Sequence, residues 1–259
     1  MLAPERQQQI LALLEERGTL RTIDLAEEFQ VTDETIRRDL QVLAESNQLT
    51  RVHGGASSLS GRPKLQSFTE RRGLQVESKK AIAQAALSLV QPGRTYAFDS
   101  STTAFALISA LPDLPYRVVT NAYAVLDHMT RMENVELICT GGRFHPKTQT
   151  FVGGESIDTL RRHNVHTAFI SCIGFDTQRG ASEGFEQQAT YKERLVQLAE
   201  SVVLLVDSTK LNQRSEYFFA GHESISLIIT DSNADPKTIE TLRNMGCAVE
   251  IAPLPESKS

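Results

Sequence analysis

Apolar residues return at helical spacing three times within the first 45 positions. Ile10, Leu13 and Leu14 share one face of a segment from Glu5 to Arg17, and Gly18 marks its end. A shorter segment, Thr22 to Phe29, is expected to bury Ile23, Leu25, Ala26 and Phe29. In the third, a turn of about 100° per residue gathers Ile36, Leu40 and Leu43 into a narrow arc. Glu34, Arg38 and Gln41 fall opposite, with Thr35 and Arg37 on the flanks. Thr32 suits an N-cap, Asp33 and Glu34 complement the helix dipole, and Asn47 can take the left-handed conformation that ends a helix. A short extended stretch with Arg51, His53, Gly54 and Gly55 follows.

Beyond Gly93 the pattern changes. Strand-like apolar runs occupy 95–98, 117–120, 135–139, 167–173, 202–206, 227–230 and 249–251. Helical patterns fall between most of them, at 104–111, 122–132, 157–163, 189–201 and 236–245. Continuous apolar strands alternating with helices predict an α/β domain, an open and mostly parallel sheet covered by helices. A further helix, 79–90, precedes it with Ile82, Ala83, Ala86, Leu87 and Val90 as its apolar face.

Three short helices and then a strand pair predict a winged helix-turn-helix at the N-terminus. Arginine pairs bidentately with guanine edges or clamps phosphates, so double-stranded DNA is the expected partner. The candidate contacts are Thr32, Glu34, Thr35, Arg37, Arg38, Gln41, Arg51, His53, Gly54 and Gly55. Arg38 is placed to read a base edge, Arg51 and His53 to hold the backbone or minor groove. An Arg-Arg pair on its own only solvates a helix. The preceding helices and the wing are what give it meaning.

Segment 57–64, Ser-Ser-Leu-Ser-Gly-Arg-Pro-Lys, has linker composition. The expected organisation is 1–57 DNA binding, 58–74 linker, 75–252 effector sensing and oligomerisation, and 253–259 a disordered tail. Charge adds a constraint: the chain carries −5 with a pI near 5.7, and residues 1–57 hold six arginines and no lysine against ten acids. Non-specific phosphate attraction is then weak. A homodimer or homotetramer that engages repeated half-sites is expected to make up the difference by avidity.

No apolar run reaches membrane-spanning length and no N-terminal signal pattern appears, so a cytoplasmic protein without membrane contact is expected. Cys139, Cys172 and Cys247 stand apart in apolar surroundings without ligand spacing, which predicts buried, reduced thiols and no metal. His163 and His166 lie on a polar stretch and are expected at the surface. No cofactor is expected.

In parallel sheets, ligands bind beyond the carboxyl ends of the strands. Those ends carry Asp99, Ser100, Ser101, Thr102 and Thr103; Thr120 and Asn121; Gly141, Gly142 and Arg143; Gly174 and Asp176; and Asp207 and Lys210. Together with Glu183 these are the candidate effector-binding residues. Hydroxyls and free N–H groups at 100–103 suit an anion, and Asp99 suits a sugar hydroxyl. Gly141 and Gly142 allow close backbone approach, and Arg143 or Lys210 supplies positive charge. Each loop alone also has a plain explanation as a cap or turn. Their convergence on one edge favours a site.

Residues 5–56 closely resemble the N-terminal domain of DeoR-type bacterial transcriptional regulators. The likeness rests on Arg6, Ile10, Leu13, Leu25, Ala26, Phe29, Val31, the run Thr35-Ile36-Arg37-Arg38-Asp39-Leu40, Leu43, Leu49 and the run Arg51 to Ala56. Thr32 stands where serine is usual and Asn47 where glycine is usual. Residues 68–252 resemble the effector domain of the same family, through Phe68, Arg71, Lys79, Asp99, Thr102, Thr103, Thr120, Asn121, Gly141, Gly142, Gly174, Asp176, Asp207 and Lys210 among others. Ser101 stands where glycine is usual. The stretches DSSTT, SCIGFD and ATYKERL resemble the fucose-operon branch.

The resemblance implies a fold related to ribose-5-phosphate isomerase and a phosphorylated sugar as effector. It also implies a repressor of a carbohydrate catabolic operon rather than an enzyme, with an activator as the variant. The competing class is a sugar-phosphate isomerase carrying a DNA-binding appendage, with Asp99, Glu183, Asp207 and Lys210 as acid–base groups. The complete wing motif argues against it, since an enzyme has no use for one.

Overall fold

A computed structural model of the protein describes residues 2–46, 48–52, 54–58 and 66–255. Asn47, His53, linker residues 59–65 and tail residues 256–259 lie outside it. The chain divides into two units, Met1–Gln66 and Ser67–Ser259.

The first unit contains α1 (Ala3–Arg17), β1 (Thr19–Arg21), α2 (Thr22–Phe29), α3 (Asp33–Glu45), β2 (Thr50–Val52) and β3 (Gly55–Ser57). The strands form an antiparallel sheet in the order β1-β3-β2. Its core joins Ile10, Leu14, Leu25, Ile36, Leu40, Leu43, Leu49 and Ala56. Each such leucine or isoleucine contributes about 1.5–3 kcal/mol by leaving water. Ile23 departs from expectation, being 51% exposed. The buried positions of α2 are Thr22, Leu25 and Ala26, and one residue past Thr22 is about 100° around the helix, outside that stripe.

The second unit opens with α4 (Phe68–Gly73) and α5 (Val76–Ala86). Then come β4 (Thr95–Phe98), α6 (Thr102–Ile108), β5 (Arg117–Thr120), α7 (Tyr123–Met129), β6 (Glu136–Cys139), β7 (Arg143–His145), β8 (Thr150–Val152) and α8 (Gly154–Leu160). The remainder is β9 (Val165–Ile170), β10 (Gly174–Asp176), β11 (Gly180–Glu183), α9 (Glu186–Leu198), β12 (Ala199–Leu205), β13 (Tyr217–Ala220), β14 (Leu227–Asp231), α10 (Pro236–Asn244) and β15 (Val249–Ala252).

Seven strands form one parallel sheet in the order β15-β14-β12-β9-β4-β5-β6. Alternate residues feed two cores. Val202, Leu204 and Ile228 meet α8, α9 and α10 on one face through Leu160, Leu195, Ile239 and Leu242. Tyr96, Phe98, Val203 and Leu205 meet α5, α6 and α7 on the other through Ile82, Leu107 and Val125. Both faces are covered, which is why the strands are apolar throughout.

Four expectations are corrected. The interval 58–74 is not linker to its end, because α4 lies within it. Ser67 and Glu70 form a capping box, and buried Phe68 sets its ring edge-on to Phe105 at 5.6 Å. Cys139 is exposed, at the end of β6 on the sheet's edge, whereas Cys172 and Cys247 are buried. The tail is not free of the fold from 253, since the N–H of Leu254 donates to Ser232 Oγ at 3.2 Å. His163 and His166 are half-buried, and His166 Nδ1 accepts the N–H of Thr95 at 3.0 Å.

Candidate functional site

Helix α3 buries Ile36, Asp39, Leu40 and Leu43 and turns Glu34, Arg37, Arg38 and Gln41 outward. Thr32 Oγ1 accepts the N–H of Thr35 at 3.3 Å, so the start of the helix is fixed by its own cap. Asp39 faces inward. It accepts Arg6 Nε at 2.6 Å and Gln7 Nε2 at 2.9 Å, tying α1 to α3. Arg51 Nη1 donates to the carbonyl of Arg37 at 3.1 Å, which ties the wing to the same helix. Arg38 shares its exposed surface with Glu34 at 3.6 Å, and Gln41 donates to Glu45 at 2.8 Å.

Gly54 is exposed, but Gly55 is a correction. It is buried in β3, where a Cβ would lie 2.0 Å from the carbonyl oxygen of Leu20. It is needed for strand contact with β1 and offers no side toward a duplex. His53 lies outside the described residues.

In the larger sheet, strand order reverses between β4 and β9: β5 and β6 lie on one side, β12, β14 and β15 on the other. Such a reversal opens a crevice at the carboxyl ends of the two strands. Asp99 and Ser171 flank it. Asp99 Oδ2 accepts the Ser171 N–H at 2.9 Å and lies 2.9 Å from Lys192 Nζ. Lys192 also donates to Glu183 and to the carbonyl of Ser171 at 2.7 Å. Burial alone drives the Lys192 pKa down, but Asp99 and Glu183 together outweigh it and hold the ammonium charged.

Further cations stand beside this triad. Lys210 Nζ lies 3.3 Å from Asp207 Oδ2 and 3.5 Å from Ser171 Oγ. Lys79 donates to the carbonyls of Arg71 and Leu74. Its pKa is lowered to about 8, by burial first and then by repulsion from Lys210 and Arg71 against the pull of Asp207. Arg71, Lys79, Lys192 and Lys210 thus stand among three carboxylates, Asp99, Glu183 and Asp207. Gln188 bridges to a neutral region, donating to Ser100 Oγ at 3.1 Å and Thr150 Oγ1 at 3.2 Å. Asn121 donates to the carbonyl of Phe151 at 3.1 Å, and its Oδ1, like Thr103 Oγ1, is buried without a hydrogen-bond partner.

The candidate residues separate by what already occupies them. Asp99 is fully buried and also accepts the Ser101 N–H and hydroxyl, so it is not open to a sugar hydroxyl. Ser101 Oγ caps α6 through the N–H of Ala104 at 3.1 Å. Thr120 Oγ1 donates to Phe98 and accepts from Ala122. Glu183 is locked to Lys192. Asp176 accepts Gln178, Arg179 and Arg214, the work of a turn, and Gly174 packs under Gln213. Gly142, at φ +105°, has room for no Cβ against the Val152 carbonyl. Arg143 is exposed and reaches Gln187 at 3.4 Å. Ser100, Thr102, Thr103, Asn121, Asp207 and Lys210 remain the better candidates.

Arg71, Lys79, Gln188 and Lys192 were not among the candidates. The last two carried a signal: Gln188, Tyr191, Lys192 and Leu195 are spaced as the buried stripe of α9. A lysine on such a stripe has to find a partner. Among the described residues, no group of three or more His, Cys, Asp or Glu side chains is placed to hold a metal ion. No helix there is long and apolar enough to cross a membrane.

Residues 6–62 match the DeoR-like helix-turn-helix domain, and residues 74–232 match the DeoR C-terminal sensor domain. The chain belongs to the DeoR family. It is a transcriptional regulator with a DNA-binding and a sensor domain. The HTH-type transcriptional regulator YulB of Bacillus subtilis (strain 168) is 36% identical over 254 residues, 98% of both chains. The L-fucose operon activator of Haemophilus influenzae is 32% identical over 226 residues, 87% of this chain and 91% of that one. The putative aga operon transcriptional repressor of Escherichia coli O157:H7 is 30% identical over 248 residues, 95% and 92%. These values do not single out the fucose branch.

Ribose 5-phosphate isomerase A of Methanocaldococcus jannaschii is 18% identical over 51% of this regulator and 53% of that chain, with a TM-score of 0.39. A likeness of that degree assigns no activity.

Proposed function

We propose that this DeoR-family regulator is a repressor of a carbohydrate catabolic operon, released from its operator by a phosphorylated sugar. In this reading, residues 1–57 hold DNA through Thr32, Glu34, Thr35, Arg37, Arg38, Gln41, Arg51, His53 and Gly54. The unit from Ser67 senses the effector and forms the dimer or tetramer that engages repeated half-sites.

The observation that carries the proposal is the cluster of cations at the crevice: Arg71, Lys79 and Lys210 stand there beside Lys192, which already takes up Asp99 and Glu183. Burial first, and then repulsion from Lys210 and Arg71, lowers the Lys79 pKa. A doubly charged phosphoryl group relieves that repulsion, and a neutral sugar does not. The neutral donors and acceptors around it, Ser100, Asn121 and Gln188, suit hydroxyl groups. Binding here is not turnover: Asp99 and Glu183, two of the acid–base groups an isomerase would need, are both committed to Lys192.

The sign of regulation has a second reading. L-fucose operon activators of two further bacteria, Escherichia coli (strain K12) and Shigella flexneri, are 31% identical to this chain, and an activator would gain operator affinity with ligand.

A thermal-shift panel of sugar phosphates and their unphosphorylated parents tests the ligand class, since a ligand of the native state raises the melting temperature. A phosphorylated member is expected to give a shift that Lys210→Ala removes. Equal shifts from the unphosphorylated sugars would refute it.

A further inference from the structure

Two guanidinium nitrogens of Arg71, Nε and Nη2, are buried without a hydrogen-bond partner. A guanidinium does not lose its proton at ordinary pH, so such donors stay charged and unsatisfied until an acceptor arrives. Nε and Nη2 share one edge of the group, a fork whose spacing matches two oxygens of a phosphoryl group. Glu183 and Asp99 attract this cation without hydrogen-bonding to it, because Lys192 already holds them.

The place of Arg71 in the fold matters as much as its chemistry. It lies on α4, the first element of the second unit, which begins where the first unit ends at Gln66. A six-residue helix does not hold itself together and takes its position from what it packs on. Phe68 lies against Phe105 of α6, and the Arg72 guanidinium covers the same ring at 5.0 Å. The carbonyl of Arg71 accepts both Lys79 Nζ and, at 3.4 Å, Thr102 Oγ1. Main chain and side chain of this residue therefore both belong to the cationic crevice.

We propose that Arg71 clamps the phosphoryl group of the effector side-on, and that this contact is the read-out of the sensor. The ligand makes α4 part of its own binding site and so fixes the start of the unit that follows the DNA-binding domain. The inference rests on the reading of the crevice as a phosphoryl site and adds to it the residue that reports occupancy.

The test uses the full chain with inorganic phosphate as the probe. Affinity is measured by titration calorimetry, and amide exchange is followed in the peptide spanning 67–74. Wild type is expected to bind phosphate and to slow exchange in α4. Arg71→Lys keeps the charge but loses the fork, and Arg71→Gln loses both. Each is expected to weaken binding about tenfold or more and to abolish the α4 protection, with an unchanged melting temperature in the absence of phosphate as the control for folding. Lys210→Ala is expected to weaken binding while saturating phosphate still protects α4. If both Arg71 variants bind phosphate as wild type does, or α4 protection survives in them, the clamp is refuted while the phosphoryl site stands. If wild type itself does not bind phosphate, the site and the clamp fall together.

Discussion

Lys192 Nζ lies 2.9 Å from Asp99 Oδ2, and the two side chains are only 3% and 1% exposed. This pair closes the crevice where strand order reverses, with Glu183 on the same ammonium. Removing the cation leaves two carboxylates buried together. Lys192→Met is expected to cost about 3–5 kcal/mol of stability, read as a lower urea midpoint with an unchanged slope. A midpoint equal to wild type would show that the triad does not hold the crevice. Because the folded pKa of Lys192 is raised, its contribution is fully present below the ordinary lysine value and is lost only as pH climbs past the folded one.

Arg6 and Asp39 play the corresponding part in the smaller unit, their side chains being 8% and 5% exposed. Asp39→Ala strips the carboxylate that Arg6 and Gln7 share. It is expected to destabilise that unit by about 3–5 kcal/mol and to reduce operator binding, because α3 is then no longer held on α1. Calorimetric melting of the variant checks the first effect. An unaltered melt would reduce Asp39 to a bystander of the Arg-Arg pair beside it.

Arg38 stands outward on α3 with 82% of its side chain exposed. Its loose pairing with Glu34 is easily exchanged for a base edge. Arg38→Ala is expected to cost about 1–3 kcal/mol of operator affinity and to relax preference at one base position. A gel-shift series against single-base operator variants reads both. Unchanged specificity would transfer the reading role to another residue of the helix.

Lys79, with its pKa lowered to about 8, sets a pH signature. Between that value and its ordinary one the folded state holds the proton less well than the unfolded state. The cost of its buried charge is constant below about pH 8 and is relieved as pH rises toward the ordinary lysine value. A phosphoryl anion has the opposite preference, since it needs the charge. Effector binding is expected to weaken as pH rises through about 8 and to take up a proton there. Calorimetry in two buffers of different ionisation heat measures that uptake, and Lys79→Met should abolish it. Uptake that persists in the variant would place the titrating group elsewhere.

Much of the fold was legible because its strands are apolar on both faces and bounded by polar loops. Thr95–Phe98 and Arg117–Thr120 stand as the pattern placed them. The small antiparallel strands at Gly174–Asp176 and Gly180–Glu183 escaped, because three or four residues without an apolar run leave no period to detect, and the apolar Tyr217–Ala220 was passed over as well. The polar strand ends were legible as one edge of the sheet, but not which of their groups were spoken for. Asp99 looked available and is saturated. Arg71 and Lys79 entered only through the family resemblance, and their place beside the crevice with Lys210 had no signal in the pattern. Pairings such as Arg6 with Asp39 span 33 positions, and a helical wheel drawn for one segment does not contain the other partner.

The central claim is that a phosphorylated sugar changes operator affinity through the second unit. The most direct measurement is an operator titration by fluorescence anisotropy, with and without the sugar phosphate that best stabilises the protein. A coupling of about 1–3 kcal/mol, roughly 5- to 150-fold weaker DNA binding with ligand, is the expected result, and operator must weaken ligand binding by the same factor. Lys210→Ala should blunt the response while leaving ligand-free DNA binding intact. Equal operator affinity with and without ligand, at a demonstrably filled site, would contradict the account.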